Sequence, residues 1–260
     1  MNLDGKVAVV TGSGNGIGEA IARRFAAEGA RVVVTDIEPD AVARVADEIG
    51  TVGLAADITA PGSVRAVADL ARSSFGEVDL WLSNAGVAGP RQPRDLQEDS
   101  LWDLMWRVHV LSHLEAAREV LPSMISRGDG YLVSTASSVA LATQPEKAAY
   151  SVTKHAALAL AEWLAVQYRG LGVKVSCFCP GPMLTRMLLA NGFESGHPAL
   201  DAALTPEQVA DVVTAGIGAE RFLITTRPGT EQALSDKGAD YDGWIGQTAA
   251  RFLGRPPPTP

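Results

Sequence analysis

The chain has 260 residues, 47% apolar and 20% charged, which is enough apolar material for the core of one large or two small globular domains. A formal net charge of -8 and a pI near 5.0 exclude the basic stripe a nucleic-acid surface needs. No apolar run reaches the ~18–20 residues of a membrane span, so neither nucleic acid nor membrane is an expected partner.

The N-terminal "MNLDGKVAVVTG" lacks the basic-then-apolar pattern of a signal peptide and enters a strand over 6–10 at once. "TGSGNGIG" follows, Thr11 to Gly18, and opens straight into the helical "GIGEAIARRFAAEG". Glycines at 12, 14, 16 and 18 permit positive φ and close backbone approach, although a strict G-x-G-x-x-G is absent because Ile17 occupies its last position. A helix N-terminus at that point offers unpaired N–H groups and partial positive charge to a pyrophosphate. The second strand, 31–35, runs up to Asp36, where a carboxylate accepts hydrogen bonds from adenosine ribose hydroxyls. The same carboxylate repels a 2′-phosphate, and no Arg or Lys follows in "DIEPD" to offset it, so NAD is expected over NADP.

Further strands are read at 52–56, 80–84, 131–135 and 173–178, separated by helical stretches such as "DAVARVADEIG" and "PGSVRAVADLARSSFG". This alternation predicts an α/β fold, a single Rossmann-like, doubly wound parallel sheet flanked by helices on both faces. Nearly continuous apolar strands agree with a sheet covered on both sides. Ligands of such sheets bind at the carboxyl ends of the strands. "GPRQPRDLQEDS" (89–100) reads as a polar loop. "EKAAYSVTKHAALALAEWLAVQY" reads as a long helix carrying Tyr150 and Lys154 one turn apart, neighbours on one face. By spacing alone a helix-surface pair is the better reading of the two. The only two cysteines, Cys177 and Cys179, fall on one face of the 173–178 strand region, where buried packing is expected rather than metal or redox chemistry; a reducing, cytoplasmic setting follows. The excursion 187–208 leads to a helix beginning "TPEQVADVV", with Thr205 as N-cap, Pro206 at the first helical position and Gln208 closing a capping box. A last strand at "FLITT" and terminal helices follow. The expected organisation is a single domain over 1–254 with a substrate lid at about 183–205 and a disordered tail, 255–260.

Five motifs, in order and at matching spacing from residue 4 to about 215, are similar to those of the short-chain dehydrogenase/reductase family. "TGSGNGIG" matches its T-G-x-x-x-G-x-G loop, and Asp57 in "AADIT" its acidic residue near the adenine. "SNAG" (83–86) matches N-N-A-G with Ser83 for the first Asn. "YSVTK" matches Y-x-x-x-K, and "PGPMLT" resembles P-G-x-x-x-T. The resemblance implies reversible hydride transfer between a nicotinamide and an alcohol or ketone, in a homodimer or homotetramer, with no metal. It implies cofactor contacts from Gly12, Ser13, Asn15, Gly16, Ile17, Gly18, Asp36, Ile37, Asp57, Ile58, Asn84, Ala85, Gly86, Tyr150, Lys154, Pro180, Gly181, Met183 and Thr185.

Tyr150 is then expected to carry the proton, with Lys154 lowering its pKa and holding the nicotinamide ribose, and Ser137 polarising the substrate oxygen. Ser138 is the adjacent alternative; Ser134 belongs to the strand. Thr185, with backbone groups of Pro180 and Gly181, is expected to hold the carboxamide. One position departs from the family: His109 stands where its helix carries the fourth catalytic residue, an Asn that shapes a helix irregularity and supports a water chain to the lysine. Either His109 titrates in that relay or it replaces the Asn only locally, the latter being preferred. His113 and His155 read as packing or surface residues. In the lid, Met183, Leu184, Met187, Leu188, Leu189 and Phe193 suit an apolar substrate, and Arg186 can meet an acidic group. Trp244 and Phe252 are candidates to cover the substrate cleft or a subunit contact. Use of NADP, or a nucleotide-binding regulatory protein without catalysis, are the competing readings.

Overall fold

The computed structural model describes residues 1–92, 95–185, 188, 198–201 and 203–254. Seven strands form one parallel sheet: β1 (Val7–Thr11), β2 (Arg31–Asp36), β3 (Val52–Ala55), β4 (Leu80–Ser83), β5 (Gly130–Thr135), β6 (Val173–Cys179) and β7 (Leu223–Thr225). Their spatial order is β3-β2-β1-β4-β5-β6-β7. Winding therefore runs outward from β1 in one direction to β3, then restarts at β4 on the other side. The crevice between the ends of β1 and β4 is where the connections diverge and leave room for a ligand.

Each strand's successive side chains feed opposite faces, and two cores result. On one face, Val7, Val9, Trp81, Leu132 and Cys177 pack with α3 (Ser63–Phe75), α5 (Ser112–Arg127) and α6 (Ala148–Tyr168). On the other, Ala8, Val10, Leu80, Leu82, Tyr131 and Phe178 pack with α1 (Gly16–Ala27), α2 (Pro39–Glu48) and Val209, Val213 and Ile217 of α8 (Pro206–Gly218). Among the described residues the remaining α-helices are α4 (Asp99–Trp106), the short α7 (Pro198–Asp201), α9 (Thr230–Ala239) and α10 (Tyr241–Leu253). Cys177 and Cys179 are buried with their Sγ atoms 3.8 Å apart, as strand packing requires.

The capping box at α8 forms as the sequence indicates: Gln208 N donates to Thr205 Oγ1 (3.3 Å) and Thr205 N to Gln208 Oε1 (2.9 Å). Just before α8, a bridge joins Met183 and Leu204, and Leu184 N donates to Leu204 O (2.9 Å), so positions 183–184 and 204 lie side by side. Arg186, Met187, Leu189, Phe193 and the tail 255–260 lie outside the described residues.

Candidate active site

A cleft of about 940 Å³ opens along the carboxyl edge of the sheet. At its centre the loop after β1 and the loop after β4 are tied to each other. Asn84 N and Ala85 N both donate to Thr11 Oγ1 (2.9 and 3.0 Å), and Asn84 Nδ2 donates to Thr11 O (3.0 Å) and Gly12 O (3.3 Å). That tie demands glycine: a Cβ at Gly18 would sit 2.0 Å from Gly12 O and 2.5 Å from Asn84 Nδ2. Gly12 and Gly16 both hold positive φ, 65° and 59°, which L side chains resist. The α1 N-terminus thus faces the cleft with bare backbone, a cradle whose shape and polarity fit a pyrophosphate.

Gly12, Asn15, Gly16, Ile17, Gly18, Asp36, Ile37, Asp57, Ile58, Asn84, Ala85, Gly86, Tyr150, Lys154, Pro180, Gly181, Met183 and Thr185 all line this one cleft. One of the expected cofactor contacts, Ser13, is used differently. Ser13 is fully buried: its hydroxyl donates to Val10 O (2.7 Å) and accepts from Thr35 N (3.0 Å), while its own N–H donates to Thr35 O. It fastens the glycine loop to β2 and is turned away from the cleft. Gly181 lines the cleft with its N–H given to Thr226 Oγ1 (2.9 Å), so its carbonyl is the backbone group left to meet a ligand.

At the adenosine end, Asp36 Oδ2 accepts from Gly14 N (2.9 Å), which fixes the carboxylate at the mouth. The sequence reading passed over Arg44, eight residues on, which α2 brings back to the same mouth. Its guanidinium donates to both Glu19 carboxylate oxygens (2.7 and 2.8 Å), to Gly14 O (2.9 Å) and to Glu48 Oε2 (3.4 Å). Glu19 is correspondingly held below the usual carboxylate range, chiefly by the Arg44 hydrogen bond.

The catalytic candidates converge at the other end. Ser137 sits in extended backbone just before a turn of 3₁₀ helix, Ser138–Ala140, and its Oγ accepts from Val139 N (3.2 Å). One lone pair is thereby used inward, and the hydroxyl interacts with the Tyr150 phenol. Ser138 lines the cleft too, but its amide bonds Pro180 O (2.8 Å) and it begins the turn. Lys154 is buried, donating from Nζ to Thr135 O (2.9 Å), and that ammonium lies 5.7 Å from the Tyr150 ring centroid.

The electrostatics differ from the sequence expectation. Tyr150 is raised above its ordinary value, because desolvation in the cleft outweighs the lowering pull of the Ser137 hydroxyl. Lys154 contributes no comparable lowering: its ammonium sits over the ring and is directed at a carbonyl, and burial pulls it down to about 8. A lysine with a pKa near 8 still carries its proton at pH 7 in about nine molecules of ten. Its burial costs stability below pH 8, and that cost fades as pH rises from about 8 towards the ordinary 10.5.

His109 is fully buried in a five-residue π-turn, Arg107–Leu111, that joins α4 to α5. π-turns insert one extra residue and recur at functional sites. The imidazole fills that irregularity with both nitrogens committed. Nε2 accepts from Val87 N (3.2 Å), and Nδ1 is 2.9 Å from Thr153 Oγ1, whose own hydrogen is given to Ala149 O (2.8 Å). The network assigns the proton to Nδ1. The ring also stands edge-on to Tyr150 at 5.6 Å. Burial, then the Lys154 charge, pushes the imidazole far below its usual range. As a neutral ring, His109 therefore joins the loop after β4 to α6 and stands against the Tyr150 phenol. The pH–rate profile of His109→Asn is expected to superimpose on that of the parent from pH 5 to 9 after scaling; a limb present in only one of them would mean that the histidine titrates in the relay. His113 is buried and lowered to about 3 by burial and Lys154, and His155 Nδ1 donates to Ser151 O (2.8 Å); both pack.

Three polar residues at the substrate end were missed: Arg91, Gln144 and Lys147. Arg91 Nε donates to Glu146 Oε2 (2.8 Å). Lys147 is buried with Nζ 5.8 Å from the Tyr150 ring centroid, lowered by burial and by the Arg91 charge. They come from the two loops that leave β4 and β5 at the ligand edge, and that placement was the signal that could have found them. Leu104, Val108, Val139, Met183 and Leu188 supply the apolar wall. Trp244 and Phe252 are not part of the cleft lining.

The family model "short chain dehydrogenase" matches residues 6–192. The 1-deoxy-11-beta-hydroxypentalenate dehydrogenase of Streptomyces exfoliatus is 35% identical, over 100% of this chain and 94% of the relative. The D-threitol dehydrogenase of Mycolicibacterium smegmatis is 32% identical, over 76% of this chain and 75% of the relative. Among solved structures, a short chain dehydrogenase/reductase from Burkholderia phymatum in complex with NAD superposes with a TM-score of 0.84, at 27% identity, covering 100% of this chain and 99% of that one.

Proposed function

Since the chain belongs to the short-chain dehydrogenase family of oxidoreductases, we propose that it oxidises a secondary alcohol, or reduces the matching ketone, with NAD(H) as cofactor. The single observation that carries this reading is the convergence of Ser137, Tyr150 and Lys154 at one end of a cleft whose other end is the glycine cradle and Asp36.

Bound NAD supplies the hydride acceptor, and the chain's own residues do the rest. The α1 N-terminus holds the pyrophosphate, and Asp36 accepts from the adenosine ribose, which favours NAD over NADP. Lys154 holds the nicotinamide ribose and keeps a positive charge beside the phenol. Ser137 donates to the substrate oxygen, and Tyr150 removes the hydroxyl proton during oxidation or returns it during reduction. Because burial raises the phenol in the protein alone, alkaline pH is needed for the phenolate unless the oxidised nicotinamide's charge offsets that burial. Oxidation should accordingly run faster as pH rises.

The substrate end is apolar with a polar rim, so we read the substrate as a largely apolar alcohol bearing one polar or acidic group. The name of the hydroxypentalenate dehydrogenase, an enzyme acting on a hydroxy acid, agrees with this. Exposed Trp106, Leu111, Trp163 and Val166 on α4 to α6 support assembly as a homodimer or homotetramer.

The test is a panel of secondary alcohols, each as free acid and methyl ester, assayed with NAD+ and NADP+ at the reduced-cofactor absorbance band. Turnover with NAD+ at least tenfold above NADP+ is expected, with the acid preferred over its ester. Tight nucleotide binding with no turnover of any alcohol would favour the regulatory reading, and preference for NADP+ would defeat the role given to Asp36.

A further inference from the structure

Helix α9 docks in an unusual way. An amphipathic helix normally buries an apolar stripe, yet from Glu231 to Asp240 every residue except Lys237 is exposed, and Leu234 is left in solvent. The one buried side chain is the residue type least often buried. Its ammonium lies 4.9 Å from the Trp244 ring centroid and 5.4 Å from that of Tyr241, both on α10, and donates to Leu141 O at 3.3 Å. No carboxylate pairs with it among the described residues. Two ring faces and one carbonyl therefore compensate a charge that has left water.

The carbonyl it reaches is informative. Leu141 closes the 3₁₀ turn that begins at Ser137: Ala140 N donates to Ser137 O (2.8 Å) and Leu141 N to Ser138 O (3.1 Å). The far end of that turn is fixed by Lys237, and its near end by Ser138 N on Pro180 O (2.8 Å). We propose that Lys237, caged by Tyr241 and Trp244, is a positioning residue through which the two C-terminal helices hold the Ser137 turn in its working geometry. The catalytic half of this proposal rests on the function proposed above; the mechanical half does not. The terminal helices lie outside the cleft, yet through Lys237 they act on it. Loosening one end of so short a turn swings Ser137 Oγ relative to Tyr150, and small misplacements of a reacting group are costly in rate.

The experiment pairs amide hydrogen exchange with steady-state kinetics on the full chain, for Lys237→Met, Lys237→Arg and Trp244→Leu. In Lys237→Met, exchange at residues 138–142 is expected to rise about tenfold while the glycine loop 12–18 is unchanged. kcat should fall about tenfold with NADH affinity within a factor of two, and Lys237→Arg should restore most of both. Trp244→Leu, which keeps the ammonium and removes one ring, should move the same amides by a smaller factor. Unchanged exchange at 138–142 in Lys237→Met would overturn the proposal, as would equal loosening of the glycine loop, which would mean general destabilisation. Faster exchange with unchanged kcat would uphold the clasp and instead remove Ser137 from the reaction.

Discussion

Tyr150→Phe is expected to lower kcat by about 10³- to 10⁴-fold while NADH affinity stays within a factor of three. The substitution removes a single oxygen. The phenyl ring keeps its edge-on contact with His109 at 5.6 Å and its place near the ammonium groups of Lys147 (5.8 Å) and Lys154 (5.7 Å), so the wall of the cleft survives. What is lost is the phenol hydroxyl that lies beside the Ser137 hydroxyl and is placed to exchange a proton with a substrate oxygen there. Lys154 cannot take over, because its Nζ is directed at Thr135 O. Initial rates and a fluorescence titration with NADH check both halves. Retained turnover would take the proton transfer away from Tyr150.

Gly18→Ala is the second large effect, and it acts at the opposite end. Its Cβ would stand 2.0 Å from Gly12 O, a backbone atom that cannot move aside without dragging the glycine loop off Asn84. Forcing one methyl group into such a site costs about 1–3 kcal/mol. Relief of that clash opens the cradle, so NADH affinity should fall more than tenfold alongside a drop in Tm of several degrees. Gly218→Ala is the control: nothing lies within 4 Å of its Cβ, and at the end of α8 it should leave both quantities unchanged or slightly improved. Thermal melts and NADH titrations of the two variants separate a local clash from a general effect of adding a methyl group.

The fold was legible because its two periodicities are strong. Seven short β-branched or apolar runs and the helices between them announce a parallel sheet, and the strand ends moved by only a residue or so, as at Gly130–Thr135 against 131–135. The glycine loop, Asp36, Asn84 and the Tyr150–Lys154 spacing were legible for the same reason: each is local in sequence. What was hidden is long-range. That Ser13 turns inward depends on β2 lying beside β1, and that Gly181 N–H is spent depends on Thr226, 45 residues away. Arg44, Arg91 and Lys147 reach the cleft only through helices and loops whose landing points a linear reading does not give. The sign of the Tyr150 shift followed the same pattern: Lys154 is adjacent in sequence, but burial comes from the whole fold. Two roles are open to His109 in the sequence, and the partners that assign it one, Val87 N and Thr153 Oγ1, come from two other segments.

The most direct measurement is isotope transfer with the best alcohol from the panel, deuterated at the carbon bearing the hydroxyl, and NAD+. If Tyr150 moves the proton while hydrogen passes directly from that carbon to the nicotinamide, the NADH formed by the parent enzyme carries one deuterium per turnover, and Tyr150→Phe forms almost none. Unlabelled NADH, or labelled NADH produced at an equal rate by Tyr150→Phe, would contradict it.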